Sequence, residues 1–272
     1  MSKVINETLG ALPFKVDVRD YKLSVTQEEF PESFELNKIR VKSQGSVGSC
    51  VAHSLAEVNE YFNREQENIN KVMSTGFIYG NRRNSLSKKS GMYVREALSN
   101  LCKYGNVFKE DFNENVEVPE AIELFENRFD SLKEKAFPNR ISSYFRLMSD
   151  NDIKYALMNY GPVVFAMTWY EGIKVDANGI MQVNTKNKKT GGHCMIIYGW
   201  NKDGWLIQNS WGNSWGKQGR AILPYNVKKA EAWGITDEIT LENSDIKKSK
   251  FNTTFARFIA KILNFLANLF KK

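Results

Sequence analysis

Cys50, His193 and Asn209 are the residues whose types and spacing suit nucleophilic chemistry. The chain has 272 residues but only two histidines and three cysteines, so few pairs of a thiol and an imidazole are available. A cysteine attacks as its thiolate, and a helix N-terminus and a nearby imidazolium both lower the pKa of a thiol. Ser49 is a good N-cap, and an apolar helical periodicity starts at Cys50. The sequence therefore predicts a cysteine nucleophile at the first turn of a helix.

A predicted hairpin brings His193 and Asn209 together. Residues 201–204 read Asn-Lys-Asp-Gly, a turn signal between strand-like runs at 195–200 and 205–208. His193 lies at the head of the first run and Asn209 follows the second, so antiparallel pairing places them close to each other. Asn209 can then accept a hydrogen bond from one ring nitrogen and fix the orientation of the imidazole.

Two other uses of these side chains compete with this interpretation. His53 lies three residues after Cys50 on the same helix face, but no block containing an orienting group accompanies it, which favours a hydrogen-bonded structural histidine. Cys50, His53, His193 and Cys194 can also be drawn as a zinc site. Adjacent residues of a strand point to opposite faces, so joint ligation by His193 and Cys194 is awkward. We predict no metal and no cofactor.

Three blocks, in this order, resemble the papain-like cysteine peptidases. They are Gln44-Gly45 with Gly48-Ser49-Cys50, then Gly192-His193, then Asn209-Ser210-Trp211-Gly212. His193 lies 143 residues and Asn209 lies 159 residues after Cys50, separations typical of that family. The Asn-Ser-Trp-Gly block is the most specific, and the resemblance covers residues 31–225. Short bacterial or viral members, which lack a long propeptide, are the most similar group.

The resemblance implies an α+β fold of two lobes, with a helical left lobe, a strand-rich, barrel-like right lobe and the active site in the cleft between them. It implies hydrolysis of peptide bonds through a thiol acyl-enzyme. Cys50 would be the nucleophile, His193 the acid and base, and Asn209 the orienting residue. Gln44 would donate to the oxyanion together with the Cys50 backbone N–H. Trp211 would shield the contact between His193 and Asn209 from water.

The resemblance also implies where a protein or peptide substrate lies. Gly91 falls at the glycine-containing wall of the cleft, and Met92, Gly191 and Gly192 are expected to line substrate subsites. Val51 replaces the aromatic residue usual after the cysteine, which removes packing but no catalytic atom. Two alternatives remain open: isopeptide cleavage or acyl transfer on the same residues, and a binding or structural protein that keeps the fold without hydrolysis.

Periodicity supplies the elements that position these residues. Helices are predicted from Cys50 onward and at 92–103, 118–129 and 150–159, and strands at 163–170, 195–200, 205–208 and 220–223. Helices thus precede strands, which indicates two lobes of different class. We divide the chain into an extended and potentially regulatory segment at 1–40, a catalytic domain at 41–245 and a C-terminal helix at 246–272.

The charge is concentrated in the C-terminal segment. The chain carries a net charge of +7, but the residues after Asp245 include seven Lys or Arg and no acid, so the first 245 residues balance 31 basic against 31 acidic side chains. We therefore expect no nucleic-acid partner. Three cysteines without a CxxC pair (Cys50, Cys102 and Cys194) indicate a reducing, cytoplasmic compartment, with the latter two in the core. The first ten residues lack a secretory apolar run, and no apolar stretch reaches 18 residues.

Residues 251–272 have a basic and polar stripe on an otherwise apolar helical pattern. This pattern suits a helix lying in an anionic membrane interface, and docking on a protein partner or on the catalytic domain is the alternative. The membrane hypothesis predicts that a chain ending at Ser249 loses co-sedimentation with anionic vesicles and keeps its activity. Equal sedimentation of the full and shortened chains would contradict it.

Overall fold

The computed structural model describes residues 9–23, 25, 29–37, 39–82 and 90–237. The chain divides into two units, Met1–Glu238 and Ile239–Lys272. The predicted C-terminal helix at 246–272 lies outside the described residues, so its membrane or partner role stays a prediction. Among the described residues, no helix is long and apolar enough to cross a membrane.

The first half of unit Met1–Glu238 is helical. The α-helices within the described residues are α1 (Cys50–Glu67), α2 (Thr75–Gly80), α3 (Val94–Tyr104), α4 (Pro119–Ala136) and α5 (Asp150–Asn159). The predicted apolar face of α1, which contains Val51, Leu55, Val58 and Phe62, is at most 1% exposed. Its first turns are buried all round and include polar side chains, which is typical of a central helix.

The second half contains the main sheet. The described strands are β1 (Phe34–Glu35), β2 (Ser143–Arg146), β3 (Val163–Tyr170), β4 (Lys174–Val175), β5 (Met181–Gln182), β6 (Lys189–Asn201), β7 (Gly204–Gln208), β8 (Arg220–Leu223) and β9 (Glu231–Thr236). Their order in the main sheet is β2-β9-β3-β6-β7-β8, β1 also pairs with β6, and every pairing is antiparallel. β4 and β5 form a separate two-stranded hairpin.

Strand β6 contributes to two hydrophobic cores. Cys194 and Ile196 pack into one core with α1 and α3, whereas Met195 and Ile197 pack into the other with α5 and the rest of the sheet. Successive strand side chains point to opposite faces, so both faces of β6 are covered at residues 194–197, which are all apolar. Because α1 packs on one of these faces, the start of the helix lies beside the strand that carries His193.

The predicted elements agree with the observed ones where the local pattern is strong. The helix at 150–159 and the strands at 163–170 and 220–223 have the expected bounds, and a capping box of Ser149 and Asp152 fixes the start of α5. α4 continues seven residues beyond the predicted 129, to Ala136. The short α2 and the distant pairing of β2 with β9 have no local signal in the sequence.

The described residues of the N-terminal segment pack on the helices and strands of the same unit. Ala11 forms a parallel bridge with Met92, Lys22 bridges to Arg146, and β1 pairs with β6. The indole N–H of Trp200 donates to Pro31 O at 3.0 Å. The segment therefore runs across both the helical part and the sheet.

Candidate active site

The predicted nucleophile lies at a helix start and the predicted base lies within the longest strand. Cys50 is the first residue of α1 and is fully buried. His193 is inside β6 and is also fully buried. The Cys50 thiol lies against the backbone of Cys194, the neighbour of His193. The structure thus brings the helix start and the histidine strand together, as the sequence predicted.

His193 and Asn209 form the predicted contact. His193 Nε2 donates to Asn209 Oδ1 at 2.7 Å. The same oxygen accepts the backbone N–H of Ser210 at 2.8 Å, which fixes the orientation of the amide and places the ring proton on Nε2. Within the described part of the chain, the other ring nitrogen, Nδ1, has no hydrogen-bond partner. The neutral imidazole therefore keeps a lone pair on Nδ1 that can accept a proton.

Aromatic rings enclose the imidazole. The Trp211 ring lies 4.7 Å from the His193 ring between centroids, tilted by 35°, and Trp169 contacts the histidine edge-on at 5.1 Å. The two tryptophans also contact each other at 5.0 Å. Trp211 thus occupies the covering position that the sequence predicted, and Trp169 is a second wall that sequence reasoning missed.

Gln44 is held in place by the segment that follows Asn209. Ser210 Oγ donates to Gln44 Oε1 at 2.6 Å, and the Gln44 backbone N–H donates to Ser210 O at 2.9 Å. Its side-chain amide Nε2 donates to Val47 O at 2.7 Å. Ser210 is a positioning contact that sequence reasoning missed, although it lies within the Asn-Ser-Trp-Gly block.

The cleft over Cys50 is filled by residues 9–12 of the chain itself. Ala11 N–H donates to Gly192 O at 3.0 Å, Met92 N–H donates to Gly10 O at 2.8 Å, and Leu12 N–H donates to Met92 O at 2.9 Å. The backbone of Gly10 and Ala11 lies against the Cys50 thiol. The residues predicted to line substrate subsites therefore bind a stretch of main chain in a substrate-like, extended form.

Two glycines permit this close approach. A Cβ on Gly10 would lie 1.7 Å from Gly48 O, and a Cβ on Gly192 would lie 2.2 Å from Ala11 O. Both contacts are to backbone atoms, which cannot rotate away. The other predicted subsite glycines also contact the segment, since Gly91 faces Gly10 O and Gly191 faces the Leu9 side chain. Gly10 was missed at the level of sequence because its contact with Gly48 depends on the tertiary fold.

Burial governs the protonation of both groups in this closed form. Burial raises the pKa of the Cys50 thiol above its usual value, and the nearby backbone N–H groups oppose this only in part. Burial lowers the pKa of His193 to about 4 despite the Asn209 contact. In the covered cleft, desolvation therefore outweighs the groups at the helix N-terminus that lower the pKa of the thiol.

His53 and Cys194 have separate environments. His53 Nδ1 lies 3.0 Å from Ser49 O, one turn earlier in α1, and burial lowers the pKa of this histidine to about 4. Cys194 faces the helical core, whereas His193 contacts Trp169 and Trp211. Among the described residues, no group of three or more His, Cys, Asp or Glu could hold a metal ion.

Comparisons with known proteins agree with this geometry. Residues 30–242 match the sequence model of the papain family cysteine proteases. A peptidase C1-like protein of Acanthamoeba polyphaga mimivirus is 29% identical over 72% of this chain and 69% of its own length. A cysteine protease of Blomia tropicalis is 27% identical over 85% of this chain and 72% of its own. Xylellain, a cysteine protease from Xylella fastidiosa, superposes with a TM-score of 0.72 at 23% identity, covering 88% of this chain and 99% of xylellain.

A buried helix-terminal cysteine beside a histidine that an asparagine holds fits a thiol-dependent hydrolase. The chain belongs to the papain family of cysteine proteases. It is thus a peptidase that acts on protein or peptide substrates, and the predicted papain-like α+β fold is confirmed.

The two buried histidines predict an acid-sensitive fold. The pKa of each is about 4 in the folded chain, below its ordinary value of 6.5, so the unfolded chain binds protons between these limits that the folded chain does not. Stability should therefore fall as the pH drops from 6.5 towards 4. Urea unfolding of the Cys50→Ala chain should show this loss, and His53→Asn should make it smaller. If the unfolding free energy of His53→Asn fell with decreasing pH as steeply as that of its parent, the low pKa assigned to His53 would be wrong.

Proposed function

We propose that this protein hydrolyses peptide bonds through a thioester with Cys50, using His193, Asn209 and Gln44. The observation that carries the proposal is the 2.7 Å contact of His193 Nε2 with Asn209 Oδ1, which leaves Nδ1 as the proton acceptor. The histidine strand lies beside the Cys50 thiol, and Trp211 shields the contact. Family membership supports the same assignment.

The proposed reaction follows from these positions. Nδ1 of His193 takes the thiol proton, and the Cys50 sulfur attacks the substrate carbonyl carbon. The backbone N–H of Cys50 and a side-chain N–H of Gln44 donate to the oxygen that becomes negative. The imidazolium then protonates the leaving amine as the peptide C–N bond breaks. Water, deprotonated by His193, attacks the thioester and releases the acid and the free thiol.

Substitution of the nucleophile and of the oxyanion donor should have different effects. Cys50→Ala removes the attacking atom and should abolish turnover of a peptide pool. Gln44→Ala removes one of two donors and should lower kcat by about 10² to 10³. Turnover should be measured in the full chain and in the Gly10→Ala chain described below. Loss of activity in Gln44→Ala as complete as in Cys50→Ala would contradict the role assigned to Gln44.

We also propose that residues 9–12 keep the enzyme latent. The segment covers the thiol and uses the backbone groups of Met92 and Gly192 that an extended substrate would need. Desolvation by the same segment raises the pKa of the Cys50 thiol and lowers that of His193, so neither group is charged at neutral pH. Removal of the segment would readmit water and favour the thiolate and imidazolium pair.

Gly10→Ala should activate the enzyme. The added Cβ would lie 1.7 Å from Gly48 O, which is far closer than two such atoms can approach. Residues 9–12 must therefore leave the cleft. Labelling of Cys50 by an epoxide thiol inhibitor should become at least about tenfold faster, which corresponds to about 1.4 kcal/mol. Val18→Ala is the matched control, because Val18 also lies in the N-terminal part of the chain, outside residues 9–12, and is 96% exposed.

The pH dependence of labelling gives an independent measure. In Gly10→Ala the thiolate should form at lower pH than in the wild-type chain, because the thiol regains solvent. Equal labelling rates and equal pH profiles in Gly10→Ala, Val18→Ala and wild type, with all three folded by circular dichroism, would exclude a blocking role for residues 9–12.

A further inference from the structure

Glu57 lies where three parts of the active site meet. It is on α1, two turns after Cys50, and is 1% exposed. Its carboxyl Oε1 accepts the backbone N–H of Lys42 at 3.0 Å, and its side chain is within hydrogen-bonding reach of Gln208. Lys42 is two residues before Gln44, and Gln208 directly precedes Asn209. Glu57 therefore contacts the segments that carry both of these residues.

The Gln208 side chain presents an unsatisfied acceptor at this point. It is 1% exposed, and its Nε2 donates to Arg40 O at 3.1 Å. In the described part of the structure, Gln208 Oε1 has no donor. Turning the amide over would let Nε2 donate to Glu57 but would place Oε1 against Arg40 O, so a flip also leaves a buried acceptor without a donor. A buried acceptor without a donor destabilises a fold, because the group loses its hydrogen bonds to water without replacement.

The neighbouring charges compensate an ionised Glu57 only in part: the Lys42 charge favours the carboxylate, but Lys42 is itself paired elsewhere. Lys42 Nζ pairs with Glu60 at 2.5 Å, and Arg40 Nη1 lies 3.9 Å from the same carboxylate. The Glu60 charge on the same helix therefore takes up both nearby cations. From β6, the uncharged Cys194 faces Glu57, and burial raises the pKa of that thiol. A second carboxylate charge in this environment would be buried beside Glu60 without a cation of its own.

We propose that Glu57 is a positioning residue, held as a neutral carboxylic acid whose hydroxyl donates to Gln208 Oε1 while its other oxygen accepts the Lys42 N–H. This satisfies the acceptor on Gln208 and links α1 to both segments that flank the cleft. The positioning role rests on the proposed function, because Gln44 and Asn209 are the residues that Glu57 positions. The protonation state of Glu57 does not depend on the proposed function.

The linked segments are already paired with each other, which explains how one side chain can position both. Gln44 N–H donates to Ser210 O at 2.9 Å, and Gly212 N–H donates to Lys42 O at 3.0 Å. A shift of Lys42 or Gln208 relative to α1 would therefore move both paired segments, and with them Gln44 and Asn209, relative to Cys50. Ionisation of Glu57 would lose the hydrogen bond to Gln208 and would introduce a charge at this junction.

The direction of the pH effect follows from burial. Burial raises the pKa of Glu57 from its ordinary value of 4.5 to about 8, although the contacts with Gln208 and Lys42 oppose this in part. Between these values the unfolded chain has released the proton and the folded chain still binds it, so stability falls as the pH rises from 4.5 to 8 and is level above. Glu57→Gln keeps a donor and an acceptor of the same shape and does not titrate.

The first arm of the test measures stability and needs no catalysis. The free energy of unfolding in urea is measured from pH 4.5 to 9.5 for Cys50→Ala alone and with Glu57→Gln. The stability of Glu57→Gln relative to its parent should increase up to pH 8 and then stay constant. Glu65 is partly exposed on the same helix and pairs with Arg64, so it serves as the control position. The difference in unfolding free energy between Glu65→Gln and its parent should be the same at every pH. If the difference in unfolding free energy between Glu57→Gln and its parent did not change with pH, Glu57 would be ionised in the folded chain and the proposal would be overturned.

Infrared spectroscopy covers the case in which Glu57→Gln does not fold. A protonated carboxyl has a carbonyl stretch distinct from that of a carboxylate, so the Cys50→Ala chain should show a buried acid at pH 6.5 that disappears above pH 8. Absence of that band at pH 6.5 would overturn the acid form without any substitution at position 57.

The second arm measures turnover and tests positioning. On the Gly10→Ala background, kcat of the Glu57→Gln chain relative to its parent should increase severalfold from pH 7 to 9, with little change in KM. A constant ratio, together with the expected stability result, would keep the acid form and overturn the positioning role. Absence of turnover in every variant would count against the proposed function and leave the stability arm unaffected.

Discussion

A short antiparallel pairing between residues 42–44 and 210–212 is the constraint on which the site depends. Gln44 and Ser210 are joined through both backbone and side chain, and Ser43 bridges Trp211. One segment leads into α1 and the other follows β7, so this pairing ties the helix that begins at Cys50 to the segment that follows Asn209. The packing of α1 on β6 then places Cys50 beside the strand of His193.

Burial has opposite effects on the fold and on the chemistry. In the covered cleft the thiol and the imidazole are both neutral, which suits a packed interior and hinders nucleophilic attack. The same low-polarity interior favours the neutral acid at Glu57, so one physical effect that suppresses reactivity at Cys50 supports a structural hydrogen bond two turns further along α1.

The sequence predicted features that depend on local pattern and on short motifs. The start of α1, the bounds of α5 and the placement of His193 beside Asn209 follow from caps, periodicity and one hairpin. The pairing of β2 with β9 joins residues about 90 positions apart and has no local signal. The occupation of the cleft by residues 9–12 depends on the contact of Gly10 with Gly48, which exists only after the chain has folded.

The sharing of β6 between two cores limits how the cleft can open. Alternate side chains of this strand belong to different cores, so spreading the helical part away from the sheet would expose buried apolar surface on the α1 face of β6 and separate Cys50 from His193. Residues 9–12, by contrast, are held at the cleft by three main-chain hydrogen bonds and by the packing of Leu9 and Ala11. In the proposed latent form, displacement of residues 9–12 would therefore open the cleft without moving the helices against the sheet. A protein that bound the displaced residues 9–12 would then activate the enzyme without contacting its active site.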